Sequence, residues 1–212
     1  YNIVAYPNLN QDADSSNDTA RTVGHFGFLT DTITHQTNFD FDTAKWATTL
    51  IEPGTCGNPP PPRPTLWQRG TPNFGTTNNA YSSPNSWDIN LDTNYFPNAF
   101  EVLYTNFFDM TKADSAFLSF WHNWNTQKGV DGYYIDYSFN RFTTFTRLTT
   151  ASQPVGKKIN WIELYDPLAG NLGRGWNGLS QGWEYSQIPL NNSKFTGKTE
   201  VMFRFVFRST ST

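Results

Sequence analysis

Apolar and polar residues alternate along several segments of the chain, and this period of two is typical of β-strands that bury one face. From Val201 to Arg208, every second residue is valine or phenylalanine, while two arginines stand among the intervening positions. Residues 116–122 and 133–138 alternate in the same way. We expect these three segments to be strands with one face in a core and the other toward solvent.

Other segments alternate over shorter stretches, and helical periodicity is nearly absent. Glycine, proline, asparagine and serine recur between these stretches, which favours many short strands joined by turns. The pattern predicts an all-β protein in which two antiparallel sheets stack as a β-sandwich. Weaker strands are predicted at residues 1–6, 23–29, 32–40, 45–51, 101–108, 142–148, 159–165 and 183–188.

The composition supports this fold class, because 18 phenylalanines, 10 tyrosines and 8 tryptophans supply large rings that favour β-sheets. The formal net charge is −3 and the basic residues are scattered, so we expect no nucleic-acid partner. Apolar runs are far shorter than the roughly 20 residues that cross a bilayer, so we expect no membrane span. The single cysteine, Cys56, cannot form an internal disulfide.

Two glycine motifs raise the question of catalysis. Residues 173–178 match the G-x-G-x-x-G dinucleotide fingerprint, and residues 178–182 match the G-x-S-x-G motif around a nucleophilic serine, here Ser180. Both motifs function at a strand-to-helix turn, and no helix is predicted after either. We therefore predict a non-catalytic protein. The alternative is a hydrolase in which Ser180 meets one of three histidines, His25, His35 or His122.

Alternating oxygen-bearing side chains indicate a candidate calcium site, because calcium binds several carboxylate and carbonyl oxygens at once. Asp88 and Asp92 lie in such a run, and Asp131 precedes a predicted strand in another loop. We predict a structural calcium ion at these three residues and no other cofactor. The alternative interpretation of residues 88–94 is the solvent-facing side of a strand.

Tryptophans in polar loops are candidate sugar contacts, because C–H groups of a pyranose ring stack on an indole face while polar side chains bind the hydroxyls. Trp124 lies between two asparagines, and Trp176 lies between a glycine and an asparagine. We predict that both indoles are exposed and that they form a ligand site with the polar residues Asn125, Arg174 and Asn177.

A series of local motifs between residues 38 and 209 resembles the MAM-like jelly-roll modules of large secreted and surface proteins of Bacteroidota. Modules of this kind often stand beside Ig-like repeats and are exported by the type IX route. The motifs are Phe39-Asp40-Phe41-Asp42 followed by Trp46, and then residues 67–72, 87–95, 118–122, 131–138, 176–183 and 204–209.

The resemblance implies a jelly-roll-like sandwich, similar also to galactose-binding folds, over residues 39–212. Its last strand is expected to be missing, and a neighbouring domain or subunit is expected to cover the sheet edge. Residues 1–24 are polar after one short strand and resemble the C-terminal strands of an Ig-like repeat. Residues 25–38 are expected to connect the two parts.

Proteins of this bacterial group carry O-glycans at Asp-Ser or Asp-Thr followed by a small or aliphatic residue. The resemblance therefore implies a glycoprotein. The motif occurs at four positions, with the hydroxyl on Thr19, Thr32, Thr43 and Ser115.

These observations lead to a functional expectation. We predict a non-catalytic, extracellular, structural or adhesive module of a cell-surface or secreted multidomain protein. Its expected partners are neighbouring domains or subunits and glycans. The alternative is a carbohydrate-binding module that serves a secreted hydrolase.

Overall fold

The computed structural model describes residues 46–48, 66–113, 116–149, 158–170, 172–190 and 193–211, together with the strand backbones at 2–5, 20–23 and 27–29. Within these residues, short 3-10 helices occur at Gly75–Thr77 and Ile162–Leu164. The strands are β1 (Asn2–Ala5), β2 (Ala20–Val23), β3 (Gly27–Leu29), β4 (Trp67–Gly70), β5 (Ser86–Ile89), β6 (Phe100–Asp109), β7 (Phe117–His122), β8 (Gly132–Ser138), β9 (Thr146–Arg147), β10 (Glu184–Pro189) and β11 (Val201–Arg208).

The strands form one five-stranded sheet and three two-stranded sheets. The five-stranded sheet has the order β3-β6-β11-β8-β9, and all of its pairings are antiparallel except that of β3 with β6. The smaller sheets are β7 with β10, β4 with β5, and β1 with β2, each antiparallel. The all-β prediction is therefore confirmed, while jelly-roll connectivity stays a prediction.

Alternation along the central strands places large rings between two layers, as the sequence predicts. Phe120 of β7 reaches across to β11, where its ring lies 5.3 Å from that of Phe205, and it also contacts Trp176 at 5.6 Å. The five-stranded sheet and the β7–β10 sheet thus pack face to face. The inward residues of β8 and β11 are at most 8% exposed, and they are Tyr133, Ile135, Tyr137, Phe203, Phe205 and Phe207.

The opposite face of the five-stranded sheet carries a charged cluster. Asp136 of β8 accepts hydrogen bonds from Arg147 of β9 at 2.9 Å and from Arg204 of β11 at 2.8 and 3.0 Å. Arg147 also lies over the ring of Tyr134, and Arg204 lies over the ring of Phe145. The expectation that this second face is toward solvent is wrong for β8, whose seven residues are all buried. Tyr134 and Val206 of this face pack with Leu168 in a small second apolar cluster.

The three strongest strand predictions agree with the structure, since 116–122 and 133–138 match β7 and β8 to within one residue. The segment 201–208 coincides with β11, and the predictions at 101–108 and 183–188 differ from β6 and β10 by one residue at each end. The segment 142–148 contains only the two-residue strand β9. Residues 32–40 lie outside the described residues, and of 45–51 only 46–48 are described, where Ala47 bridges to Tyr104.

The strand predicted at 159–165 is wrong. Ile159 forms an isolated bridge with Gln187, and the chain then turns into the 3-10 helix at Ile162–Leu164. Trp161 and Ile162 are both almost fully buried. A regular strand would direct two consecutive side chains to opposite faces, whereas the turn places both in the same core.

Strand β3 lies in the segment that we expect to connect two parts, and its backbone pairs with β6. The division of the chain into 1–24, 25–38 and 39–212 stays a prediction. Among the residues described, no helix has the length and hydropathy to span a membrane.

Candidate functional site

An exposed group of rings lies on the outer face of the β7–β10 sheet, and we call it the aromatic platform. It consists of Tyr81, Trp121, Trp183 and Tyr185. Strand β7 directs Leu118, Phe120 and His122 inward, so Trp121 must point outward. Antiparallel pairing places Trp121 opposite Tyr185 of β10, and residues 81 and 183 flank the pair from adjoining loops.

The rings of the aromatic platform are in mutual contact. Tyr81 stacks on Trp121 with centroids 4.2 Å apart and planes 10° from parallel. Trp121 also contacts Tyr185 at 5.4 Å, and Trp183 meets the ring of Tyr81 edge-on at 6.0 Å. Such contacts between rings stabilise by about 0.5–1.5 kcal/mol each, so the platform is held in place before any ligand arrives.

Exposure distinguishes these rings from the core. Tyr81 is 54% exposed and Trp121 is 42% exposed, although large aromatic side chains are mostly buried in folded proteins. Phe117, 51% exposed, stands on the same face of β7 four residues before Trp121. This face therefore presents apolar ring surface to solvent.

Uncharged polar groups border the aromatic platform. The Asn79 Oδ1 accepts a hydrogen bond from the Trp183 indole at 2.6 Å, which leaves its amide NH2 for other partners. Ser119 is exposed on β7 and stands opposite Gln187 of β10. Amide and hydroxyl groups beside exposed rings can bind the hydroxyls of a neutral sugar while its C–H face stacks on a ring.

The prediction that Trp124 and Trp176 are exposed is wrong. Trp124 is 4% exposed and Trp176 is fully buried, because both indoles lie between the two sheets. Their polar atoms are satisfied within the protein: Trp124 Nε1 donates to the Asn177 carbonyl oxygen and Trp176 Nε1 donates to the Asn160 carbonyl oxygen, each at 3.1 Å. Neither indole offers a face to a sugar ring.

The three polar residues predicted with them lie around the same loop. Asn125 is exposed and forms an isolated bridge with Leu179, and Arg174 donates to the Tyr165 carbonyl oxygen at 2.5 Å. Asn177 is buried; its amide nitrogen donates to the carbonyl oxygens of residues 166 and 175, and its Oδ1 accepts from the Gly129 N–H. These contacts give Asn177 a structural role.

A shallow cleft of about 300 Å³ opens above this loop. Its walls include Lys128 and Asp166, which form an exposed ion pair at 3.5 Å, and Leu179, which is 61% exposed. Tyr165 also lines the cleft, and its hydroxyl donates to Asn160 Oδ1 at 2.5 Å. The charges of Lys128 and Asp166 thus offset each other in the cleft wall, and the Tyr165 hydroxyl is bonded to a residue outside it.

Ser180 does not meet a described histidine. Its hydroxyl donates to Asn123 Oδ1 at 2.6 Å and accepts from the Trp124 N–H at 3.0 Å, and the residue is buried. His122 instead bonds with Tyr133 and Ser186 inside the core. His25 and His35 lie outside the described residues. The hydrolase alternative therefore has no serine–histidine pair at Ser180 in the part of the chain that is described.

The three predicted calcium ligands have separate environments. The Asp131 carboxylate accepts from the Tyr95 hydroxyl at 3.1 Å and from the Thr210 N–H at 2.8 Å. Burial raises the pKa of Asp88 to about 7, although a hydrogen bond from the Ile89 N–H opposes the shift. Asp92 is exposed. Nowhere in the described ranges do three or more His, Cys, Asp or Glu side chains converge on one metal position.

The four predicted glycosylation sites, Thr19, Thr32, Thr43 and Ser115, lie outside the described residues. Glycosylation there stays a prediction.

Comparison of the chain with known protein families, curated proteins and solved structures finds no match. The resemblance to MAM-like modules accordingly stays a prediction. Any functional argument must come from the residues and their geometry.

Sequence reasoning missed the aromatic platform although one signal for it was present. Placing Leu118, Phe120 and His122 on the buried face of β7 already directs Trp121 to solvent. Local loop polarity, which pointed to Trp124 and Trp176, was the poorer guide. No sequence pattern indicated that Tyr81 and Trp183 join the platform, because their positions depend on how loops that are distant in sequence meet at β7.

Proposed function

We propose that this chain is a non-catalytic, extracellular module that contacts neutral glycans through the aromatic platform. The observation that carries the proposal is the stacked pair of Tyr81 and Trp121, whose side chains are 54% and 42% exposed on the outer face of the β7–β10 sheet. An adhesive role within a larger surface or secreted protein follows from such contacts.

The chemistry of the aromatic platform favours a neutral sugar over a charged ligand. The four aromatic residues of the platform are uncharged. The polar residues beside it are uncharged as well, and they are Asn79, Ser119 and Gln187. Glu184 lies next to the platform in sequence, but its carboxylate faces inward and accepts from Asn160 Nδ2 at 2.8 Å. A pyranose ring matches this combination of apolar faces and amide groups.

We expect Trp121→Ala to weaken glycan binding at least tenfold, because the variant removes the central ring of the platform. Titration of neutral hexasaccharides of glucose, mannose, galactose and xylose, followed by tryptophan fluorescence and calorimetry, measures the loss. Tyr81→Ala is expected to weaken binding of the same ligand, since the variant removes one ring of the stacked pair and leaves Trp121 without the ring that holds it in place.

The matched control is Phe96→Ala, which removes another aromatic residue that is more than half exposed. It should bind as the unchanged protein does. If no neutral oligosaccharide binds the unchanged protein, or if Trp121→Ala and Phe96→Ala bind equally well, the proposed function is wrong.

A further inference from the structure

The accessible face of the β7–β10 sheet extends along β7 beyond the aromatic platform. All three outward residues of this strand are exposed, and they are Phe117, Ser119 and Trp121. The inward residues Leu118 and Phe120 pack against the hydrophobic core instead. Alternation along the strand thus directs two rings, with a serine between them, to the same solvent-facing side. We call these three residues the outer row of β7.

The two rings of the outer row stand well apart along the strand. Since a strand advances about 3.3 Å per residue, the four residues from Phe117 to Trp121 span about 13 Å. Pairing with β10 is unbroken over this distance, with Phe117 opposite Pro189 and Trp121 opposite Tyr185. A monosaccharide is shorter than this separation. Only a chain of several sugar units can contact both rings at once.

The surface between the two rings is polar and lies closer to the sheet. Ser119 occupies the middle of the outer row, and its short side chain rises less far from the backbone than a ring does. Gln187 stands opposite it on β10, and the Gln187 Oε1 accepts a hydrogen bond from the Tyr185 hydroxyl at 2.8 Å. Hydroxyl and amide groups at this position can bond with the hydroxyls of a sugar chain that bridges the rings.

The shape of the outer row favours an extended ligand, because the row follows one strand. Equatorial β-1,4 linkages give chains of glucose, mannose or xylose a ribbon-like, extended form, whereas α-1,4 linkages coil the chain. The outer row and the aromatic platform contain no charged residue. Charge complementarity therefore favours a neutral chain over an acidic one.

We propose that the outer row of β7 lengthens the glycan site into an elongated site for a neutral β-1,4-linked polysaccharide. Trp121 and Phe117 are its two separate stacking positions, and Phe117, 51% exposed, is a binding residue in addition to the four rings of the platform. The inference rests on the proposed function, because Trp121 belongs to both sites. It adds the linkage and the length of the ligand.

Calorimetric titration with β-1,4-linked oligosaccharides of two lengths tests the proposal. We expect the hexasaccharide of glucose, mannose or xylose to bind at least tenfold more tightly than the disaccharide of the same sugar, because only the longer chain reaches both rings. Phe117→Ala should lose about tenfold in affinity for the hexasaccharide, equivalent to about 1.4 kcal/mol. The same variant should keep its affinity for the disaccharide, which occupies the platform alone, whereas Trp121→Ala should weaken both ligands.

Two further variants serve as controls. Phe117→Tyr keeps a ring at the same position and should bind both lengths as the unchanged protein does. Phe96→Ala removes an exposed ring that is not on β7 and should have no effect. The comparison of lengths in the unchanged protein needs no variant, so it remains decisive if Phe117→Ala fails to fold.

The outcomes separate this inference from the proposed function. Equal affinity for disaccharide and hexasaccharide, tighter binding of the α-1,4-linked maltohexaose, or full hexasaccharide affinity in folded Phe117→Ala overturns the elongated site and leaves the proposed function standing. If no neutral oligosaccharide of either linkage binds the unchanged protein, the proposed function is wrong and the elongated site falls with it.

Discussion

Replacing Asp136 with alanine is expected to lower the free energy of unfolding by about 3–5 kcal/mol, the range for removing one partner of a buried ion pair. The Asp136 side chain is 7% exposed, and those of Arg147 and Arg204 are 24% and 18% exposed. Without the carboxylate, two partly buried guanidinium groups stack on Tyr134 and Phe145 and repel each other with no anion between them. Urea unfolding followed by circular dichroism measures the change.

Glu200→Ala is the matched control for this experiment. Its carboxylate bonds with Arg141 at 2.7 Å, but the arginine side chain is 54% exposed, so the loss is expected to stay within about 1 kcal/mol. A triple variant, Asp136→Leu with Arg147→Met and Arg204→Met, removes all three charges and should recover much of the stability. Equal losses for Asp136→Ala and Glu200→Ala would contradict the ion-pair argument.

The sequence predicted the parts of the fold that depend on local alternation. Strand β11 was predicted at its observed bounds, since burying Phe203, Phe205 and Phe207 leaves the arginines only the opposite face. Strand β4 was not predicted, and β5 was anticipated only through the alternative interpretation of residues 88–94 as part of a strand. All four residues of each strand are of intermediate exposure, so neither strand has one buried and one exposed face. Their sequences therefore lack the alternation of apolar and polar residues that predicts a strand.

The candidate site was predicted less well, because it depends on contacts between distant segments. Asn79 and Trp183 are 104 residues apart in sequence and share a hydrogen bond at the edge of the aromatic platform. Polar neighbours suggested that Trp176 is exposed, yet its indole donates to Asn160 in the core. A glycine or asparagine beside a tryptophan describes the backbone turn and says little about the direction of the ring.

Stability is also expected to depend on pH through His122, which lies in the core against the rings of Phe120, Trp124 and Trp176. The Ser186 hydroxyl donates to the Asn160 carbonyl oxygen at 2.5 Å, so His122 Nε2–H donates to Ser186. The other ring nitrogen, Nδ1, then accepts from the Tyr133 hydroxyl. This network is complete with a neutral imidazole.

Burial lowers the pKa of His122 to about 3, against 6.5 for an unperturbed histidine. Between these two pH values the unfolded chain binds a proton that the folded protein does not, so stability is present above about pH 6.5 and is lost as the pH falls. The expected slope from this residue is about 1.4 kcal/mol per pH unit. Asp88 acts in the opposite direction, because its raised pKa means that the folded protein holds a proton between about pH 7 and 3.8.

Comparison with His122→Gln isolates the histidine contribution, since glutamine keeps hydrogen-bonding atoms but does not titrate. Urea unfolding at pH 7, 6, 5 and 4 should show the unchanged protein losing stability faster than the variant as the pH falls. Repeating both series with Asp88→Asn removes the opposing contribution, so the loss on acidification should steepen in each while the difference between them persists. Parallel curves for the histidine and glutamine proteins would mean that His122 is protonated in the folded core, in conflict with the neutral network around it.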